Sequence, residues 1–199
     1  MTAPVRQPFV DATHQRAAVA LGTWVFLAQE TLFFGVLFVL YATWRIRHPA
    51  LFLRDAPRLD WALAAAMTAT LLLSSFTMAL AVRFAFLRAR RALLAALAAT
   101  ALLGAAFLAM KIHEYAHHLA RGEGPTAPFF GLYFVITGFH ALHVLAGIGA
   151  LVGLAVASAL RPREALRGGP TMAVGLYWHF VDIVWLFVFP ALYLLGRAP

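Results

Sequence analysis

Apolar residues gather in this chain into five long stretches, each reaching the ~20 residues that a helix needs to cross a hydrocarbon core. The first covers about Val19–Trp44 and closes on Arg45, Arg47, His48 and Pro49. A loop with Arg54, Pro57 and Arg58 follows, and Asp60 stands where an N-cap would for the second stretch, about Trp61–Val82. The basic connector Arg83–Arg91 leads into the third, about Ala92–His118, which Gly122, Gly124, Pro125 and Pro128 bring to an end. The fourth, about Phe129–Leu160, exceeds what a perpendicular crossing requires and predicts tilt or protrusion. Arg161, Pro162, Gly168, Gly169 and Pro170 form the last connector before the fifth, about Thr171–Leu195. The pattern predicts an all-α, polytopic bundle of five transmembrane helices forming a single membrane domain over residues 1–199. No internal repeat is visible, and no segment outside the spans is large enough for a domain.

Composition agrees with this reading. Apolar residues are 63% and charged residues 12%, with a mean hydropathy of +0.81; soluble domains carry about 45–50% and about 25%. A surface so poor in charge calls for lipid as its solvent. The absence of Cys excludes disulfides, thiol catalysis and Cys-based metal sites. The 16 Lys+Arg against 8 Asp+Glu fall mostly between the apolar runs, which points to anionic lipid headgroups rather than nucleic acid. The first eighteen residues are polar and lack the short apolar core of a cleavable signal, so the first span is expected to direct its own insertion. Nine of the cations fall on the N-terminal side and seven on the other, which favours a cytoplasmic N-terminus.

Ionisable residues inside the spans stand out, because a lipid-facing charge there costs about 2.5–3.5 kcal/mol. Glu30 lies near the middle of the first span, in AQETLFFG. It reads either as a neutral carboxyl hydrogen-bonded within the bundle or as a proton relay. In the fourth span Tyr133, Thr137, His140 and Gly147 share a face, with His143 beside it. Two histidines three apart can begin a metal site but do not complete one; inward packing with hydrogen bonds to a neighbouring helix is the plainer reading. His179 and Asp182, also three apart, can satisfy each other or join Glu30 in one network. Thr70, Ser74 and Thr77 suit close helix contact. The third span ends in His113-Glu114-Tyr115-Ala116-His117, which fits the zinc-protease pattern H-E-x-x-H. No third ligand is convincingly placed and no soluble domain holds a substrate, so chance in a chain with eight histidines is the better account. No metal site and no catalytic residue is expected here.

Four motifs in order resemble one family. GTWVFLAQETLFFGVLFVLY resembles the helix of cytochrome c oxidase subunit III that carries a buried Glu. MKIHEYAHH is similar to that family's Lys-x-x-Glu-Tyr segment through Lys111, Glu114 and Tyr115. FVITGFHALHVLAG matches its Thr-Gly-x-His-x-x-His-Val stretch through Thr137, Gly138, His140, His143 and Val144. WHFVDIVWLFVFPALYL closely resembles its terminal signature through Trp178, His179, Phe180, Val181, Asp182, Val184 and Trp185.

The resemblance, spread over about Gly22–Leu195, implies a five-span bacterial form of a family in which many members have seven spans. It implies subunit III of a heme-copper terminal oxidase of the aerobic respiratory chain, of the cytochrome c type, in the bacterial plasma membrane. Quinol-oxidase versions and a nitric oxide reductase accessory protein also have five spans, so cytochrome c or a quinol is the electron donor to the complex. Such a subunit carries no heme or copper, which belong to subunits I and II; it stabilises subunit I and supports proton uptake during proton translocation. Bound phospholipid is the other component the family brings in, since its longer members hold lipid beside their first two helices. In this reading Glu30, His140, His143, His179 and Asp182 are buried polar or proton-network residues, while Lys111, Glu114 and Tyr115 are an interfacial signature. An intramembrane zinc protease and a small transporter are the alternatives from other classes, and the transporter lacks the inverted repeat expected of it.

Overall fold

The computed structural model describes residues 12–160 and 169–195, and the described residues are helical almost throughout. Helix α1 spans Ala12–Arg47, short α2 Pro49–Asp55, α3 Trp61–Phe86, α4 Arg90–Ala120, α5 Pro128–Leu160 and α6 Gly169–Phe189. A 3-10 turn covers Ala56–Arg58, and a π-helical turn covers Pro190–Leu194. Five of these helices are long and apolar enough to cross a membrane, α6 together with its π turn being the fifth. Helices satisfy their own backbone groups, which lipid cannot do.

Local chemistry sets several boundaries. The Asp60 carboxylate accepts the N–H groups of Ala62 at 2.9 Å and Leu63 at 3.0 Å, capping α3. Pro49 and Pro128 open α2 and α5, where a missing N–H costs nothing. Gly122, at φ +75°, turns the chain out of α4. Arg88, at φ +55°, makes the tight turn between α3 and α4. At 33 residues, α5 is about 50 Å long at 1.5 Å per residue, well over the hydrocarbon thickness. The protrusion or tilt read from its length follows from that geometry.

Helix α3 packs most extensively on α4, α4 continues onto α5, and α6 lies against both α3 and α5. Trp178 of α6 forms the centre of this packing. Side chains added at Gly104 or Gly147 would meet its indole at 2.7 Å and 2.8 Å, so the glycines of α4 and α5 make its slot. The indole N–H donates to Ser74 Oγ at 3.1 Å, and Ser74 donates to the Thr100 carbonyl. Ser74 thus ties three helices together, and Thr77 meets the Thr100 hydroxyl at 2.8 Å, as the small polar stripe on α3 suggests. Thr70 faces outward and bonds only to Ala66 of its own helix. Helix α1 is held loosely, chiefly by α6 and α2. Leu21, Leu32 and Val36 of α1, Leu102 of α4 and Leu142 of α5 are exposed, so the outer faces of the bundle are apolar.

Candidate functional site

Two polar clusters interrupt the apolar interior. The first lies at mid-depth and joins α1 to α5. Glu30 Oε2 stands 2.9 Å from His143 Nε2, across 113 residues of sequence. His143 Nδ1 lies 2.7 Å from the Phe139 carbonyl, which can only accept, so Nδ1 carries a hydrogen. Glu30 and Nε2 therefore share one proton: either neutral acid faces neutral imidazole, or carboxylate faces imidazolium. Phe33 and Phe34 pack on the imidazole with centroids at 5.9 Å and 4.9 Å. Tyr177 donates to the His143 carbonyl at 3.0 Å. The pair is not sealed, with 14% of the Glu30 side chain and 18% of that of His143 exposed.

Of the other polar residues read from the spans, His179 bonds to the Ser75 hydroxyl of α3 at 2.7 Å. The structure does not pair it with Asp182. That carboxyl is buried beside Ser75, with neither oxygen in hydrogen-bond geometry. His140 is fully buried between Phe107 and Trp185, and both of its ring nitrogens lack a partner. Glu30 thus meets one of the four groups considered for it.

The second cluster lies toward the opposite end, about nine residues before α4 terminates. Lys111 Nζ donates to Glu114 Oε2 at 2.9 Å, to the Tyr133 hydroxyl at 3.1 Å and to the Tyr193 hydroxyl at 2.8 Å. All three ammonium donors are thereby satisfied. Tyr193 donates in turn to Glu114, 2.9 Å and 3.0 Å from its two oxygens. The rings of Tyr115, Tyr133, Trp185 and Tyr193 surround the ammonium at 4.7–5.5 Å from their centroids. Lys111 and Glu114 are 1% and 2% exposed, so this motif is interior to the bundle rather than at its surface. Tyr115 turns aside and meets Thr137 at 2.7 Å; Thr137 donates to the Tyr133 carbonyl, so Tyr115 is the donor.

The same geometry bears on the H-E-x-x-H motif. Its glutamate is held by Lys111 and Tyr193 and is not free to act as a base beside His113 and His117. Among the described residues no three His, Asp or Glu side chains are placed to hold a metal.

Tyr193, Ser75 and the His118–Glu123 contact at 2.7 Å were not singled out from the sequence. Pro190 lacks an N–H, and the π turn that follows it rotates Tyr193 inward, a shift that a 3.6-residue period does not anticipate. Ser75 stands beside Ser74, and nothing local tells which of two adjacent hydroxyls faces a histidine.

The sequence profile of cytochrome c oxidase subunit III matches residues 10–197, nearly the whole chain. The chain belongs to that family. As a subunit III it is a multi-pass membrane component of a heme-copper oxidase complex, with other oxidase subunits as its partners. Among its relatives is a protein of Staphylococcus haemolyticus named "Probable quinol oxidase subunit 3", 31% identical over 187 residues, 94% of this chain and 93% of the relative. A protein of the same name from Staphylococcus epidermidis is 31% identical over 189 residues, with the same shares covered. Another, from Staphylococcus aureus, is 30% identical over 187 residues, again covering 94% and 93%.

Proposed function

We propose that this subunit III serves a quinol-type terminal oxidase of the bacterial plasma membrane, with its N-terminus cytoplasmic. In this reading it carries no heme or copper itself; it braces subunit I and supports proton uptake there. The names of its relatives, at 30–31% identity over nearly full length, support a quinol over cytochrome c as donor to the complex.

The single observation that carries the proton role is the half-open Glu30–His143 pair. One proton shared between a carboxyl and an imidazole can change sides over 2.9 Å without rearranging either helix. The pair bridges the loosely held α1 and the tightly packed α5, so it also reports how α1 seats against the bundle.

Purified complex tests both parts. A quinol analogue is expected to support oxygen consumption that reduced cytochrome c does not; the reverse preference would overturn the donor assignment. Glu30→Gln keeps a hydrogen bond to His143 but removes the exchangeable acid. It is expected to slow proton uptake and to hasten inactivation during turnover with subunit content unchanged. Unaltered activity and lifetime would remove the functional role of this carboxyl.

A further inference from the structure

Three polar side chains meet between α3 and α6, near the middle of the spans Trp61–Phe86 and Gly169–Leu194. Ser75 Oγ stands 2.7 Å from His179 Nδ1. The Asp182 carboxyl, 4% exposed, lies beside the same Ser75 and has no partner in hydrogen-bond geometry among the described residues. His179 is only half-buried. Its second ring nitrogen, Nε2, meets no other group among the described residues and is not sealed inside the bundle.

Proton counting fixes what Nε2 presents. At this depth a trio without net charge is favoured. With Asp182 turned to the Ser75 hydroxyl, two such arrangements use every internal donor. In the first, neutral Asp182 donates to Ser75, Ser75 donates to Nδ1, and the imidazole hydrogen sits on Nε2. In the second, Asp182 is a carboxylate that accepts from Ser75, Ser75 accepts from Nδ1, and the imidazolium again carries a hydrogen on Nε2. Nε2 is a donor in both.

The surroundings of that donor are apolar. Met172, Ile183 and Leu186 share the strip of α6 on which His179 stands, and Leu72 is one turn from Ser75 on α3; all four are exposed. Acyl chains can cover such a seam but offer no acceptor, because the oxygens of lipid lie outside the hydrocarbon core. A helix of another protein can do both. We infer that the groove between α3 and α6 seats a membrane helix of a neighbouring oxidase subunit, and that an oxygen on it accepts the Nε2 hydrogen of His179. A regular helix engages its own carbonyls, so the acceptor is a side-chain hydroxyl, amide or carboxyl oxygen. Neither the electron donor nor the proton role of Glu30 enters here; only the presence of other subunits does.

The test uses the intact oxidase. A photoreactive benzoylphenylalanine in place of Ile183 leaves the trio untouched and is expected to cross-link to another oxidase subunit in the membrane. His179→Phe is expected to weaken retention of this subunit in detergent about three- to twentyfold, the worth of one interhelical hydrogen bond in lipid, as native mass spectrometry of diluted complex would show. His179→Gln, whose amide N–H stands where Nε2 does, should restore most of the retention; this rescue separates the outward bond from a loss of folding, since Gln gives up the Ser75 contact as Phe does. A cross-link only to lipid, or to a second copy of this chain, would overturn the docking face. Unaltered retention in His179→Phe, or equal loss in both variants, would overturn the hydrogen bond at its centre.

Discussion

Replacing Lys111 by Met tests the buried cluster most directly. The substitution keeps the volume and removes the ammonium, leaving Glu114 2% exposed with Tyr193 but no cation. Breaking one side of a buried pair costs about 3–5 kcal/mol, because the remaining charge is uncompensated. Replacing both partners by apolar groups of similar size is near neutral by the same reasoning, so Lys111→Met/Glu114→Leu is expected to recover most of the loss. For a chain of this size each kcal/mol moves a melting midpoint by about 2–4 °C, so the single variant is placed roughly 6–20 °C below wild type. The assay is heat-induced release of this subunit from the purified oxidase, followed on native gels. If single and double variants fall together, or the single one stays within about 2 °C of wild type, the ion pair does not hold α4 to α5 and the π turn as argued.

Three further outcomes follow from the packing and the caps. Gly104→Ala and Gly147→Ala each push a methyl into Trp178 and are expected to cost about 1–3 kcal/mol. Adding Trp178→Phe should relieve either one, as the same release assay and the indole fluorescence would show. Asp60→Ala removes the cap of α3 and is expected to cost about 1 kcal/mol, whereas Asp60→Asn retains most of it. Metal analysis of the purified complex before and after His113→Ala is expected to show no zinc attributable to this subunit; stoichiometric zinc lost on that substitution would contradict the commitment of Glu114 to Lys111.

Much of the architecture was legible because lipid imposes one rule on every span. Long apolar runs bounded by Arg, Pro and Gly gave five helices, and Asp60 caps α3 where it was expected. Lys111 and Glu114, three apart, were legible as neighbours on one helix face. Their burial was not, because it depends on Tyr133 and Tyr193 arriving from two other helices. The partner of Glu30 was narrowed to four groups, and choosing among them needed the rotation of α5, which turns His143 outward to α1 and His140 inward to Phe107 and Trp185. The contact of Arg58 with Glu123 joins two loops, and no periodicity relates residues in different loops.

The Glu30–His143 contact has a consequence for how the membrane receives this chain. Helix α1 leaves the ribosome first, and its histidine partner follows 113 residues later. At about 5–20 residues per second, that is a wait of roughly 6–23 s. Throughout it, the first span must stay inserted with an unmatched carboxyl whose insertion penalty is about 2.5–3.5 kcal/mol. Between Val19 and Leu40 the span carries thirteen Val, Leu and Phe residues, which at about 0.3–0.6 kcal/mol each supply roughly 4–8 kcal/mol. The oily excess of α1 thus keeps the nascent helix in place until α5 is synthesised, and the order of synthesis favours an apolar first span as much as the finished bundle does.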